Sequence, residues 1–281
     1  MAKVYDALRR AEQERKRREG IEAAAAPPVS WEDVPRDAAA AALPFWKRWF
    51  QRARRGPDVA EPANDANKRR IAILQPDSFV AEQFRMLRGR IDSLAAQRPI
   101  HTVAVASANA HEGKSTAAVN LASVTAMSLG RRVLLVDCDL RRPKIHSSLG
   151  LDIRAGLDEV LLDRATLDEA IVKVERMNLD VLGVRSTPPN PSELLASPQM
   201  RSLVEDVSQR YDRVVFDTPA TLGLPDSKIV SELCDGLVMV VRADVTPRED
   251  VHAALEVLDR RRILGMVLNG VDTSPERYGY Y

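Results

Sequence analysis

The sequence predicts an α/β fold: a doubly wound, mostly parallel sheet with helices on both faces, entered through a partly disordered N-terminal extension. Three observations lead there. Six short runs rich in Val and Leu recur from residue 102 onward, amphipathic stretches separate them, and a glycine-containing loop joins the first run to the first long helix. Runs that are apolar at nearly every position are strands buried on both faces, and strand–helix alternation builds a parallel sheet. The 281-residue chain is 45% hydrophobic and 29% charged, enough apolar material for a sizeable core.

Residues 1–19 have the period of a helix whose narrow apolar stripe is Val4, Leu8 and Ala11, either a solvated helix or one that docks on a partner. Residues 20–71 are rich in Ala, Pro and charge and have a linker's composition. Within them, residues 43–55 set Trp46, Trp49, Phe50 and Ala53 on one helical face and Lys47, Arg48, Arg52 and Arg55 elsewhere. Aromatic on one side and basic on the other suits a helix lying in a membrane interface; the alternative is packing on the protein's own domain or on a partner. The first 75 residues hold 16 Lys+Arg against 11 Asp+Glu, so this end is the one to meet an anionic surface.

One domain is expected over residues 72–274. Its strands are TVAVAS, RVLLVDCD, LDVLGV, RVVFDTP, LVMVVRA and MVLNGV. Its helices include STAAVNLASVTAMSLG, closed by Gly130 as C-cap, and EDVHAALEVLDRRR. No window approaches the roughly 20 apolar residues of a membrane span. The N-terminus is too charged for a secretory signal. Cys138 and Cys234 lie in or beside apolar runs, as buried thiols of a reducing compartment do, and a cytoplasmic protein is expected.

The strongest motif follows the first strand. From Ala108 the chain reads A-x-x-x-x-G-K-S, a Walker A loop with alanine for the first glycine, between a strand and a helix as the mechanism requires. Backbone N–H groups of Ala110, His111, Glu112, Gly113 and Thr116 are in position for the phosphates of ATP, Lys114 for the β and γ oxygens, and Ser115 for Mg2+. This refines the fold class to the P-loop NTPase type. Two further strands end in acids, Asp137 with Asp139 and then Asp217, the last like a Walker B aspartate. Any one of them alone reads equally well as a turn or cap residue; three at buried strand ends beside a phosphate loop point to the crevice where such sheets bind ligands. Three of the five tyrosines, Tyr278, Tyr280 and Tyr281, sit in the last four positions, in a stretch (275–281) with turn chemistry.

With these motifs in view, residues 72–281 resemble the bacterial tyrosine kinases that control capsule and exopolysaccharide synthesis, a branch of P-loop ATPases related to the partition and septum-placement ATPases. The resemblance rests on SFVAEQFRMLRGRI, HEGKSTAAVNLA, VLLVDCDLRRP, GLDEVL, PPNPSELLASPQM, YDRVVFDTP and the terminal tyrosines, in the family's order. It implies a protein-tyrosine autokinase. Glu82, Arg85 and Arg88 match the family's E-x-x-R-x-x-R motif, through which subunits form a ring, although by spacing alone they make an intrahelical ion-pair ladder. Asp137 matches the aspartate that helps deprotonate the attacking tyrosine; Ser115, Asp139 and Asp217 match groups around the magnesium; Asn269 matches the position that meets the base. Tyr278, Tyr280 and Tyr281 match the phosphate acceptors, fed into a neighbour's site. Because the chain lacks a span, the resemblance also implies a separate transmembrane activator of the chain-length-regulator type, recruitment to the inner face of the plasma membrane, a cognate tyrosine phosphatase, and no nucleic acid partner.

One departure stands out. Family members usually carry Pro-Gly before the Glu-Gly-Lys, where this chain has Ala110 and His111; losing the glycine restricts the loop, and His111 either slows turnover or contacts phosphate. The rival class is an ATPase switch without tyrosine phosphotransfer, but its members usually carry a second lysine early in the loop, where Asn109 stands.

Overall fold

The computed structural model describes residues 70–271, so the expectations for residues 1–69, including the aromatic-basic segment, and for the tail with Tyr278, Tyr280 and Tyr281 lie outside the described residues. The strands are β1 (Thr102–Ser107), β2 (Val133–Asp137), β3 (Ile171–Lys173), β4 (Leu179–Leu182), β5 (Arg213–Asp217), β6 (Gly236–Arg242) and β7 (Ile263–Asn269). They form one sheet in the order β3-β4-β2-β5-β1-β6-β7, parallel throughout except for β3.

The helices that place the site are α1 (Ile71–Leu74), α2 (Phe79–Ala95), α3 (Lys114–Ala126), α4 (Ile145–Leu149), α5 (Leu157–Leu161), α6 (Leu167–Ala170), α7 (Pro191–Leu195), α8 (Pro198–Arg210), α9 (Asp226–Leu233) and α10 (Arg248–Val257). Successive strand residues point to opposite faces, and both faces are covered. Leu134, Phe216 and Met239 pack with Leu157, Val204 and Val230 from α5, α8 and α9. Val105, Leu135, Val215 and Val238 pack on the other side with Ile91 of α2 and Ala118, Leu121 and Ala122 of α3. This explains why the strands read as continuous apolar runs rather than alternating ones. It also explains why α3 is buried nearly all round: it lies on the sheet and α2 packs against it.

Local chemistry starts the helices. Ser78 Oγ accepts the N–H of Ala81 at the start of α2, Ser197 does the same for Met200 in α8, and Pro198 follows as the first residue of that helix. The expected C-cap of the loop helix needs correction: α3 ends at Ala126 with Met127 as its cap, and Gly130, although left-handed at φ 73°, lies in the turn beyond. Met127 and Ser128 already bond back to Ser123 and Thr125, which closes the helix earlier. The stretch EDVHAALEVLDRRR also divides, into α10 and a 3-10 turn at Arg260–Arg262, where Asp259 accepts the N–H of Arg261. Strand β3 is three residues long and carries no strong apolar signal; the antiparallel pairing with β4 makes it a strand. Among the described residues, no helix is long and apolar enough to cross a membrane.

Candidate active site

Strand order decides where the chemistry can gather. β5 lies between β2 and β1, so the ends of three adjacent strands bring together Asp137, Asp217 and the loop that follows β1. Asp137 and Asp217 stand opposite each other in register, and the Cys138 N–H donates to the Asp217 carbonyl at 2.8 Å. This crevice at the carboxyl ends of the strands is where open α/β sheets bind ligands.

The phosphate loop closes onto α3 at Gly113, whose φ of 95° suits glycine alone, and a Cβ there would lie 2.0 Å from Asn269 Nδ2. Lys114 and Ser115 therefore open α3 with the helix N-terminus beneath them, a natural anion site. Lys114 is buried and so is Glu112. The loop is held from outside. The Glu112 carboxylate accepts the N–H of Asn109 at 3.0 Å and the hydroxyl of Thr246 at 2.5 Å. Asn109 Nδ2 donates to Asp250 at 2.7 Å, Arg242 to the His111 carbonyl at 3.3 Å, and Asn269 Nδ2 to the Glu112 carbonyl at 2.9 Å. The partners from outside the loop, Thr246, Asp250, Arg242 and Asn269, pair with it across more than 130 residues, a separation that leaves no local signal. Asn269, expected at the base, has its amide nitrogen against the phosphate loop.

The acids differ from one another. Asp137 is fully buried; its Oδ2 accepts the N–H groups of Lys144 and Ile145 at 2.9 and 3.0 Å, which caps α4, and its Oδ1 accepts that of Asp139 at 3.1 Å. Burial first and the nearby Asp217 charge second push its carboxyl up to about 8, against the pull of those N–H donors. Asp217 is likewise buried. The strand ends at Asp137, so Asp139 is not a strand residue. Instead Asp139 lies in the following turn, half-buried, and accepts the Arg142 N–H at 3.0 Å. A second cluster, unforeseen in the sequence, lies in the same loop and its neighbours: buried Asp226 accepts Arg141 Nε at 2.8 Å and Ser192 Oγ at 2.6 Å.

Glu82, Arg85 and Arg88 do share one face of α2. Glu82 and Arg85 form an ion pair, as spacing alone allowed, while Arg88 turns inward and donates to the Val124 carbonyl at 2.7 Å and to Ser128 Oγ at 2.6 Å.

Comparison with known proteins gives this arrangement a family. The AAA domain family matches residues 100–259, from two residues before β1 to the turn after α10. The tyrosine-protein kinase YwqD of Bacillus subtilis is 39% identical over 214 residues, which are 75% of this chain and 90% of that protein. The chain belongs to the bacterial tyrosine kinases. In solved structures, this kinase is similar to the kinase domain of the Escherichia coli tyrosine kinase ETK, with a TM-score of 0.70 at 28% identity over 83% of this chain and 89% of that one. It is similar also to the chimerical protein CapA2B2, with a TM-score of 0.68 at 32% identity over 72% of this chain and 90% of that one. These likenesses favour a tyrosine kinase over an ATPase switch without phosphotransfer, in agreement with the resemblance of the motifs.

The donor set fits ATP with a divalent cation. A buried, mutually repelling carboxylate pair beside a hydroxyl and a lysine is a hard-oxygen site that gains from added positive charge. Among the described residues, no three His, Cys, Asp or Glu side chains converge in a metal cage. Magnesium does not need one, since it is held by one or two protein oxygens together with phosphate oxygens and water.

Proposed function

We propose that the kinase transfers the γ-phosphoryl group of ATP to the tyrosines of its own tail, Tyr278, Tyr280 and Tyr281, presented by a neighbouring subunit. The observation that carries this reading is the convergence, on three adjacent strand ends, of the buried Asp137 and Asp217 with the loop leading to Lys114. Phosphoryl transfer asks the protein for in-line positioning and charge compensation, and for little covalent help. The amides of residues 110–116 cradle the phosphates, Lys114 holds the β and γ oxygens, and Asn269 offers its Oδ1 to the base. Ser115, Asp139 and Asp217 would hold Mg2+, which supplies charge compensation for the transferred group and favours the ionised forms of the acids.

The tyrosine oxygen forms the new P–O bond as the bond between the γ phosphorus and the bridging oxygen breaks, and ADP leaves with the bonding electron pair. The phenol, with a reference pKa of about 10, is neutral at pH 7, and Asp137 takes its proton. A carboxylate raised toward neutrality is a better base than one at the usual value of about 4. Glu82, Arg85 and Arg88 support assembly into a ring, in which one subunit's tail reaches the next site.

The partners follow the same reading. A separate transmembrane activator of the chain-length-regulator type recruits the kinase to the inner face of the plasma membrane, residues 43–55 contribute a membrane-surface contact, and a tyrosine phosphatase reverses the modification. The process served is capsule or exopolysaccharide synthesis or export; a relative named as a succinoglycan biosynthesis transport protein supports this.

The test is to incubate purified protein with Mg-ATP, with and without the activator's cytosolic segment, and to map phosphate by mass spectrometry. Phosphate on the tail is expected. Lys114→Met should abolish it, and mixing that variant with wild type should put phosphate on the variant's tail. ATP hydrolysis with unmodified tails under every condition would overturn the proposal in favour of a switch.

A further inference from the structure

His111 stands where the phosphate loop adopts a left-handed backbone, at φ 64°. For a residue with a Cβ that conformation costs roughly 1–2 kcal/mol, so the loop on its own would relax toward negative φ and swing the N–H groups that follow it away from the phosphates. Yet the loop is not on its own. Residues 242–250, from the end of β6 through the following turn into the first turn of α10, grip it on both sides of His111: Asp250 holds the Asn109 side chain, Arg242 holds the His111 carbonyl, and the Thr246 hydroxyl holds the Glu112 carboxylate. The grip is itself braced, because Thr246 Oγ1 also accepts the Arg242 N–H at 3.0 Å and Glu112 turns back to the Asn109 N–H. Glu112 is buried, so its two bonds form away from competing water.

We infer that Thr246 and Asp250 are positioning residues for nucleotide: they clamp the phosphate loop in its phosphate-binding shape despite the missing glycine at position 111. The inference rests on the nucleotide-binding part of the proposed function. It predicts a specific suppression. Removing the clamp should weaken nucleotide binding while His111 is present, and restoring glycine should make the clamp largely dispensable, because the loop would then hold its shape without help.

The experiment measures Mg-ADP affinity by titration calorimetry, with the melting temperature of the ligand-free protein alongside. Thr246→Val, which removes the hydroxyl and keeps the volume, is expected to lose about tenfold in affinity, the worth of one well-placed hydrogen bond. Thr246→Ser should keep wild-type affinity, and Thr246→Val with His111→Gly should recover most of the loss, with a melting temperature no lower than that of Thr246→Val alone. A Thr246→Val protein that binds as wild type does, or a loss that His111→Gly fails to repair, overturns the inference. Should Thr246→Val fail to fold, Asp250→Ala with and without His111→Gly makes the same test at a half-buried position in the first turn of α10. Absence of Mg-ADP binding by wild type would instead sink the nucleotide reading itself.

Discussion

His111 and Asp137 each carry a cost that function explains. Replacing His111 by glycine removes the left-handed penalty but adds chain entropy to the unfolded state, so a net gain of about 0.5–1 kcal/mol is expected in urea unfolding. His111→Val, β-branched and poorly suited to positive φ, should lose roughly 1 kcal/mol or more in the same assay. Asp137 makes the ligand-free protein sensitive to pH. The folded carboxyl keeps its proton up to about 8, whereas the unfolded one releases it near 3.8. Between those values the folded Asp137 holds more of its proton than the unfolded one, so its contribution to stability falls as pH rises from about 4 to 8. Thermal melts across that range should show the decline, and Asp137→Asn should flatten it; an equal slope in both proteins would refute the assignment.

Helix α2 separates two uses of one motif. Glu82 and Arg85 pair on a partly exposed face, where such a pair contributes at most about 0.5 kcal/mol, so losing both should leave the melting temperature nearly unchanged. Arg88 instead closes the last turn of α3 through the Val124 carbonyl. Arg88→Ala should therefore cost about 1 kcal/mol of stability besides any effect on assembly. Light scattering together with melting curves distinguishes the two outcomes: a smaller particle with an intact melt for the Glu82→Ala and Arg85→Ala pair, and a lowered melt for Arg88→Ala.

For the molecule as a whole, the paired acids and the phosphate loop belong to different strands, so occupying the site should brace the sheet's carboxyl edge. Mg-ADP at a hundred times its dissociation constant is expected to stabilise the fold by about 2.7 kcal/mol, and EDTA should remove most of that gain. Differential scanning calorimetry checks both. Stabilisation that survives EDTA undiminished would speak against a magnesium-dependent site.

The sheet, its parallel sense and the phosphate loop could be read from the chain, because a strand buried on both faces and a loop built on Gly113 and Lys114 leave marks within a few residues of themselves. Asp137 and Asp217 could be read as strand-end acids for the same reason. The partners of the loop could not. Thr246, Asp250 and Asn269 lie more than 130 residues from the atoms they hold, and β3 exists because β4 offers it an edge. Nor could the difference between Asp137, buried and raised toward neutrality, and Asp139, held in a turn, be seen in a stretch that spells them two positions apart. Local periodicity writes the elements into the sequence; burial, register and charge proximity are properties of the packed chain, and they divide the work among residues of the same type.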